Sequence, residues 1–358
     1  MRTSRSQIHR FLLAGLACVG IIASAARATT NQWIAVGPTG ATISSIASAA
    51  ATIYAGTSVT GVLKSVDGGA SWHVASDGLI DPGVRALAVD PQFPTTVYAG
   101  TARGLFKSID GGTHWMPAGF QDAAHRSVNS IAVDPVMPHV LYAATSAGLY
   151  RSLDSAQSWQ AIGFGDFVGN DVAIDPSSPG IVYFSGDQAS GVGSRIYRSG
   201  DAGTTWTKVR ANGVAFDVDE VISGHVYVDP GGSGRVFVAS AGDGVIASQD
   251  AGSTWSALPV PSPSVTRVTA FAVDAGDANT LYLGTSDGKL LRSANGGQSW
   301  TDTTGTLRGG GIGVITGMRG TVFVGATNGL FTSTDAGVTW KTVDVGVRRV
   351  PTGRLVVD

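Results

Sequence analysis

The sequence predicts an all-β fold of seven four-stranded blades set radially as a β-propeller, and three observations predict it. First, 50 glycines and only 14% charged residues in 358 make a poor helical protein, because each interior glycine costs a helix about 1 kcal/mol relative to alanine. The acids agree: Glu220 is the only glutamate, and aspartate is a turn former. Second, Ser-x-Asp-x-Gly-x-x-Trp or a close variant occurs seven times, ending at Trp72, Trp115, Trp159, Trp206, Trp255, Trp300 and Trp340. Successive tryptophans are 43, 44, 47, 49, 45 and 40 residues apart, the period of a four-stranded propeller blade. Third, short runs of strand character surround each copy, bounded by Gly, Pro or Asp.

The second repeat illustrates the order of elements. Ala86-Leu87-Ala88-Val89 alternates and ends at Asp90-Pro91, which predicts the inner strand. Thr96-Val97-Tyr98-Ala99-Gly100 follows as the second strand and Gly104-Leu105-Phe106-Lys107-Ser108 as the third. The fourth opens with Trp115. No single repeat can bury both faces of such a sheet, so the repeats must stack around an axis. The repeated motif is then the turn from third to fourth strand: its Asp accepts turn N–H groups, its Gly takes a positive φ, and its Trp fills the sheet interior. Asn295 replaces the Asp of the sixth copy and Ala156 the Gly of the third, so those two turns are expected to be weaker. Trp33-Ile34-Ala35-Val36 imitates a fourth strand and Arg354 to Asp358 an inner strand, and both are expected to help close the ring.

These motifs resemble Asp boxes, also called BNR repeats, over nearly all of the chain. The resemblance implies a seven-bladed propeller with box turns between third and fourth strands, similar to sialidase-like, sortilin-type and single-domain photosystem II assembly-factor-like propellers. Xyloglucanases carry such boxes too, so the motif specifies fold far better than function. In the enzymes of this group the boxes lie on the face opposite the catalytic site.

The first 28 residues read as a signal peptide. Arg2, Arg5 and Arg10 precede an apolar run from Phe11 to Ala25, and Ala26-Arg27-Ala28 has the small-x-small form of a cleavage site. Cleavage near Ala28 leaves one propeller domain over 29–358, secreted or periplasmic, and losing Arg2, Arg5, Arg10 and Arg27 takes the formal charge from −2 to −6. A mildly acidic export product is a poor nucleic-acid binder. Cys18, the only cysteine, goes with the leader. No later stretch of 18 apolar residues predicts a membrane span, and a monomer is expected.

Functional candidates come from departures from the repeat. Tyr98 to Ser108 and Tyr142 to Ser152 span 10 residues, whereas Tyr183 to Ser199 spans 16, its insertion running from Gly186 to Arg195 with Asp187 and Gln188. The following connection, Trp206 to Asp229, is also the longest at 23 residues and holds Arg210, Asp217, Asp219 and Glu220. Both excursions fall on the face away from the boxes, where insertions in repeat proteins tend to mark the binding surface. Loop drift with solvated charges is the competing reading. Arg85, Arg126, Arg267, Arg308, Arg348 and Arg349 each fall between a fourth strand and the next inner strand, so they are expected to rim the same face. Arginine there suits forked contacts to carboxylate or phosphate. Asn129 and Asn170, each five residues before an inner-strand Asp, line the channel mouth or serve as turn residues.

Catalytic signals are sparse. The resemblance to sialidases requires an arginine triad, usually opened by Arg-Ile-Pro, which is missing here. Tyr54, Tyr98, Tyr142, Tyr183 and Tyr282 share one repeat slot, which marks them as packing residues rather than a nucleophile. A xyloglucanase-like inverting pair needs carboxylates about 6.5–9.5 Å apart, and that family places its cleft between two propellers. Asp90, Asp134, Asp175 and Asp229 read as turn formers. The six histidines show no paired ligand spacing. No cofactor is expected, a calcium ion on Asp217, Asp219 and Glu220 being the one metal reading the acids allow. The residues favour an exported, non-catalytic propeller that binds a protein or glycan through Asp187, Gln188, Arg195, Asp217, Asp219, Glu220, Arg85, Arg126, Arg267 and Arg308. The alternative is a glycoside hydrolase using Glu220, Asp219 and Asp187.

Overall fold

The computed structural model describes residues 42–121, 127–190, 194–210, 224–240, 244–261, 267–307, 310–318 and 320–343, all within one compact unit. The expected leader, the Trp33 to Val36 and Arg354 to Asp358 segments, Arg348 and Arg349 lie outside the described residues. Twenty-eight strands and no helix occur among the described residues, so no helix there is long and apolar enough to cross a membrane. The fold is an all-β propeller.

Five antiparallel sheets have four strands each, and a sixth has eight. The eight-stranded sheet consists of two four-stranded halves, starting at Val268 and at Ile312, that meet through one parallel pair, Asp274 with Gly317. Spatial order follows chain order within each four-stranded unit, because consecutive short strands joined by tight turns pair with their neighbours. The second repeat is representative: Val84–Val89, Val97–Thr101, Gly104–Ser108 and Met116–Gly119. Its second strand is buried at all five positions, which is why Val-Tyr-Ala-Gly-Thr carries no charge: both faces meet protein. The outer strand is largely exposed and holds Pro117, a residue tolerated only where no ladder partner is needed.

The apolar clusters lie between repeats rather than within them. Tyr98 and Leu105 of the second repeat pack with Val128, Leu141 and Ala143 of the third. Ile43, Ile53, Leu63 and Trp72 of the first repeat share a cluster with Phe323, Leu330 and Val343 of the last, which closes the ring. The five repeat-slot tyrosines are at most 1% exposed, as expected of packing residues.

All seven Ser-x-Asp-x-Gly-x-x-Trp turns adopt one hydrogen-bond pattern. In the first, Ser65 Oγ donates to Asp67 Oδ1 at 2.7 Å, Gly69 N donates to Ser65 Oγ at 2.8 Å, and Ser71 donates to Asp67 through N at 2.9 Å and Oγ at 2.5 Å. Both deviant turns keep the common hydrogen bonds, and only the third carries a backbone cost. Asn295 Oδ1 accepts from Ser293 Oγ and Ser299 N, and its amide donates to Ser299 Oγ at 2.8 Å. An amide therefore replaces the carboxylate bond for bond. Ala156 keeps the Ser152 bond at 2.9 Å while holding φ at 70°, a left-handed conformation that an alanine adopts at a cost of about 1–2 kcal/mol.

The tryptophans stand just ahead of the outer strands rather than opening them. Each outer strand begins one residue later, at Met116 after Trp115 for example, so the indole caps the turn instead of opening the strand. Trp115, Trp159 and Trp340 donate Nε1 to Ala75, Ala118 and Thr303, each the third residue after the tryptophan of the preceding repeat. Trp159 is only half-buried, whereas Trp115 is 3% exposed.

Candidate functional site

The candidate site is the channel end opposite the Ser-x-Asp turns, where the second strand turns into the third. Six inner strands are bulged there. The ladder to the second strand skips Ser44, Arg85, Asn129, Asn170, Thr269 and Gly313, and a bulge re-aims the side chain of the skipped residue. Most of these side chains reach the next repeat. Ser44 Oγ donates to Val84 O at 2.5 Å, Arg85 Nη1 to Asn129 Oδ1 at 3.0 Å, Asn129 Nδ2 to Gly169 O at 2.8 Å and Thr269 Oγ1 to Ile312 O at 2.6 Å. The bulges thus stitch the inner strands around the mouth.

The fourth repeat breaks this pattern. Asn170 donates to Asp187 Oδ1 at 2.9 Å and to Ser194 Oγ at 3.3 Å, inside its own repeat, and Ser194 Oγ also donates to Asp187. The next residue, Asp171, makes the contacts between repeats instead. Its Oδ1 accepts from Ser130 Oγ at 2.6 Å, its Oδ2 accepts from Val226 N at 3.1 Å, and His225 Nδ1 lies 3.6 Å from Oδ2. Ser130, Asp171 and His225 occupy equivalent positions in three consecutive repeats, four residues before Asp134, Asp175 and Asp229. The corresponding residues are Ala86 before Asp90 and Ala270 before Asp274.

This arrangement is not a nucleophile relay. The carboxylate stands between serine and histidine, so the imidazole cannot take the serine proton. It is instead a fixed anion with one titratable neighbour. The protein crowds His225 yet leaves its side chain 45% accessible. Desolvation pulls its pKa down, but the hydrogen bond and charge of Asp171, with the charge of Asp187, outweigh that and hold it above the ordinary histidine value. A raised folded-state pKa means that the His225–Asp171 contribution is fully present below about pH 6.5 and is lost as pH rises through the folded value. NMR titration of the His225 ring should give a pKa above the model-peptide value, falling in Asp171→Asn; an identical value in that variant would break the assignment.

Asp187 and Gln188 do not sit on an irregular loop: they end the strand Val182–Gln188, and Arg195 is the second residue of Ser194–Ser199. Asp187 pairs with Ser194 and with Val168, so the insertion extends a hairpin of the sheet. Arg195 Nε is buried and has no partner among the described residues. Arg85 lies inside an inner strand rather than in a connection, because the bulge lengthens that strand. Arg267, exposed, immediately precedes the inner strand Val268–Asp274, and Arg210 is exposed as well. Asn129 and Asn170 bond through bulged inner-strand positions and are not turn residues. Asp217, Asp219, Glu220, Arg126 and Arg308 lie outside the described residues, and with them the calcium reading. Among the described residues no three His, Asp or Glu side chains gather to hold a metal.

Asp90, Asp134 and Asp175 each accept two backbone N–H bonds from the turn that follows, and Asp229 accepts one from Gly231, so these acids are turn formers. Cavities of about 640 and 550 Å³ open at the other end of the sheets, by Asp274 and Asp277 and by Ile53 and Phe323. Both carboxylates there are bonded locally, Asp274 to Gly276 N and Asp277 to Asn279 N and Thr280 Oγ1.

The family profile described as sortilin, neurotensin receptor 3 (Sortilin-Vps10) matches residues 194–309. A xyloglucanase of Hypocrea jecorina is 26% identical, covering 81% of this chain and 36% of that protein. The crystal structure of a GH74 xyloglucanase from Xanthomonas campestris superposes with a TM-score of 0.70 at 20% identity, over 87% of this chain and 55% of that one. YCF48 bound to D1 peptide superposes with a TM-score of 0.64 at 19% identity, over 82% of this chain and 93% of that one. The chain therefore spans about a third of the curated relative and about half of the xyloglucanase structure. The two structural likenesses carry the fold. The named relative favours the glycoside hydrolase over the non-catalytic binder that residue reading places first.

Proposed function

We propose that this chain is a carbohydrate-acting propeller, a xyloglucanase-like glycoside hydrolase whose polysaccharide lies across the mouth lined by the bulged inner strands. The observation that carries this reading is the match to a protein named xyloglucanase over four-fifths of the chain. The site chemistry is compatible with it. A neutral glycan is held by hydrogen bonds from amides, guanidinium groups and carboxylates, and Arg85, Asn129, Asn170, Asp187, Gln188, Arg195 and Arg267 supply those types at one end of the inner strands, joined in our reading by Arg126 and Arg308. In such an enzyme one carboxylic acid protonates the leaving oxygen and a second carboxylate activates water. Asp187, Asp219 and Glu220 are the candidates for these roles.

The architecture we propose beneath it is a ring of seven blades, with the eight-stranded sheet read as two blades joined at Asp274 and Gly317. We further propose an exported monomer, cut near Ala28. A second reading, a non-catalytic propeller binding a protein or glycan on the same face, is favoured by one observation: this chain matches 93% of the peptide-bound YCF48 chain, itself a propeller of similar size.

The test is reducing-sugar release from soluble xyloglucan, with retention on a xyloglucan affinity gel measured in parallel. Turnover abolished in Glu220→Gln or Asp219→Asn supports the hydrolase. Gel retardation without turnover, lost in Asp187→Asn/Arg195→Ala, supports the binder. Neither turnover nor retardation overturns the carbohydrate reading.

A further inference from the structure

We propose that the Ser-x-Asp turn face of the first three repeats docks a basic, amphipathic segment of a partner protein. Six large apolar side chains stand in solvent there: Val66, Ile109 and Leu153 at the second position of the turns, and Phe93, Val136 and Met137 in the turns between first and second strands. Their exposures run from 47% to 62%. Single exposed apolar residues such as Val338 on the seventh turn are ordinary on any protein; three at one turn position in adjacent repeats are not. The other four repeats build the same turn with Gly200, Gln249, Ala294 and Thr334 at the second position. Turn geometry therefore does not require an apolar residue, and something beyond the turn accounts for three in adjacent repeats. The inner turns follow suit, with Ser177-Ser178 and Gly231-Gly232 in the fourth and fifth repeats against Gln92-Phe93 and Val136-Met137.

Backbone and side-chain hydrogen bonds join the positions of the second and third repeats into one surface. Gly111 N donates to Thr95 O at 2.7 Å and Ser155 N to His139 O at 2.9 Å, tying the two turns of each repeat together. Gln92 Nε2 donates to Val136 O at 2.8 Å and Lys107 Nζ to Ser155 O at 2.9 Å, tying the second repeat to the third.

Charge selects the occupant. Asp67, Asp110 and Asp154 lie between the apolar residues. Asp67 and Asp154 are bonded by hydroxyl and amide donors, Asp110 also by His114. Donation from Ser71 and Ser65 to Asp67, and from His114 and Ser108 to Asp110, holds both carboxyls well below the usual range, and donation from Ser158 and Ser152 brings Asp154 to about 2. All three stay ionised at any physiological pH. The two neighbouring lysines turn inward: Lys107 is held by the Ser155 carbonyl, and Lys64 lies over the Tyr54 ring. A partner that buries the apolar residues must therefore bring positive charge to these carboxylates.

The experiment uses the whole protein and two labelled probes, a short alternating Leu–Lys peptide and its Leu–Glu counterpart, followed by fluorescence anisotropy. The Leu–Lys peptide should bind about tenfold or more tighter than Leu–Glu, and weaken with salt. Phe93→Ser/Ile109→Gln/Leu153→Gln, which installs residue types found in the other repeats, should reduce that binding about tenfold at an unchanged melting temperature. Gln249→Ala/Thr334→Ala should leave it intact. Equal binding of the two peptides, or undiminished binding by the triple variant, overturns the proposal. So does sedimentation of the wild type as a dimer that the triple variant dissolves, since the occupant would then be a second copy.

Discussion

Trp115→Ala is expected to lower the unfolding free energy by about 3–5 kcal/mol, the range for truncating a buried aromatic. Trp115 is 3% exposed and shares a cluster with Tyr54 and Val62 of the preceding repeat and Val97 and Phe106 of its own. Its Nε1 donates to Ala75 O of the preceding repeat at 2.9 Å. Removing the ring opens a cavity at the seam and leaves that carbonyl without its donor. Trp115→Phe separates the two effects: most of the apolar filling remains, and the lost hydrogen bond alone should cost about 1–2 kcal/mol. Trp300 is the internal control, half-buried and with an Nε1 that has no partner among the described residues. Urea unfolding of the three variants and Trp300→Ala checks the ranking. If Trp300→Ala costs as much as Trp115→Ala, the indole does not pin the seam between repeats.

The fold was legible because each repeat states it again. A period near 45 residues, one tryptophan per turn and strand runs too short for helices leave few alternatives, and seven copies average out the local noise in any one of them. The site was legible only in outline. Length alone marked the fourth repeat, since Tyr183 to Ser199 exceeds its counterparts, but length does not say whether the extra residues form a loop or continue a ladder. They continue it through Asp187 and Ser194. The bulges were harder to see. A skipped residue shifts the alternation by one, so Arg85 reads as a connection and Asn170 as a turn residue. A usable signal was nevertheless present, because Arg85, Asn129, Asn170 and Thr269 all stand five residues before an inner-strand Asp. One position further on, the change from Ala86 to Ser130, Asp171 and His225 and back to Ala270 marks the polar bridge that residue reading overlooked. A contact between repeats is invisible until the ring brings equivalent positions side by side.

Gly325→Val should have an effect of the same order, through the seam that no peptide connection spans. Gly56, Gly100, Gly284 and Gly325 occupy one slot in the second strand, where a Cβ would strike the inner strand of the following repeat. At Gly100 it would come within 2.8 Å of Val128 O, and at Gly284 within 2.9 Å of Ile312 Cβ. For Gly325 the following repeat is the first. A Cβ there would lie 2.6 Å from Val314 Cγ1 and 2.7 Å from Ile43 Cβ. The backbone is not the obstacle, since Gly325 is not among the glycines with positive φ; the clash is with Val314 of its own repeat and with Ile43 across the seam. Overfilling a tight core typically costs about 1–3 kcal/mol, and valine at this contact should reach the upper end, with alanine milder. The location of the damage distinguishes it from Gly100→Val, whose two repeats remain joined by the chain. Ile43 belongs to the cluster that holds the first repeat against the last, so opening should concentrate there. Hydrogen exchange in Gly325→Val should rise first in Ile43–Ala49 and Ile312–Met318, ahead of the third and fourth repeats. Uniform exchange across all repeats, or a melting temperature equal to that of the wild type, would show that the ring does not depend on this contact for closure.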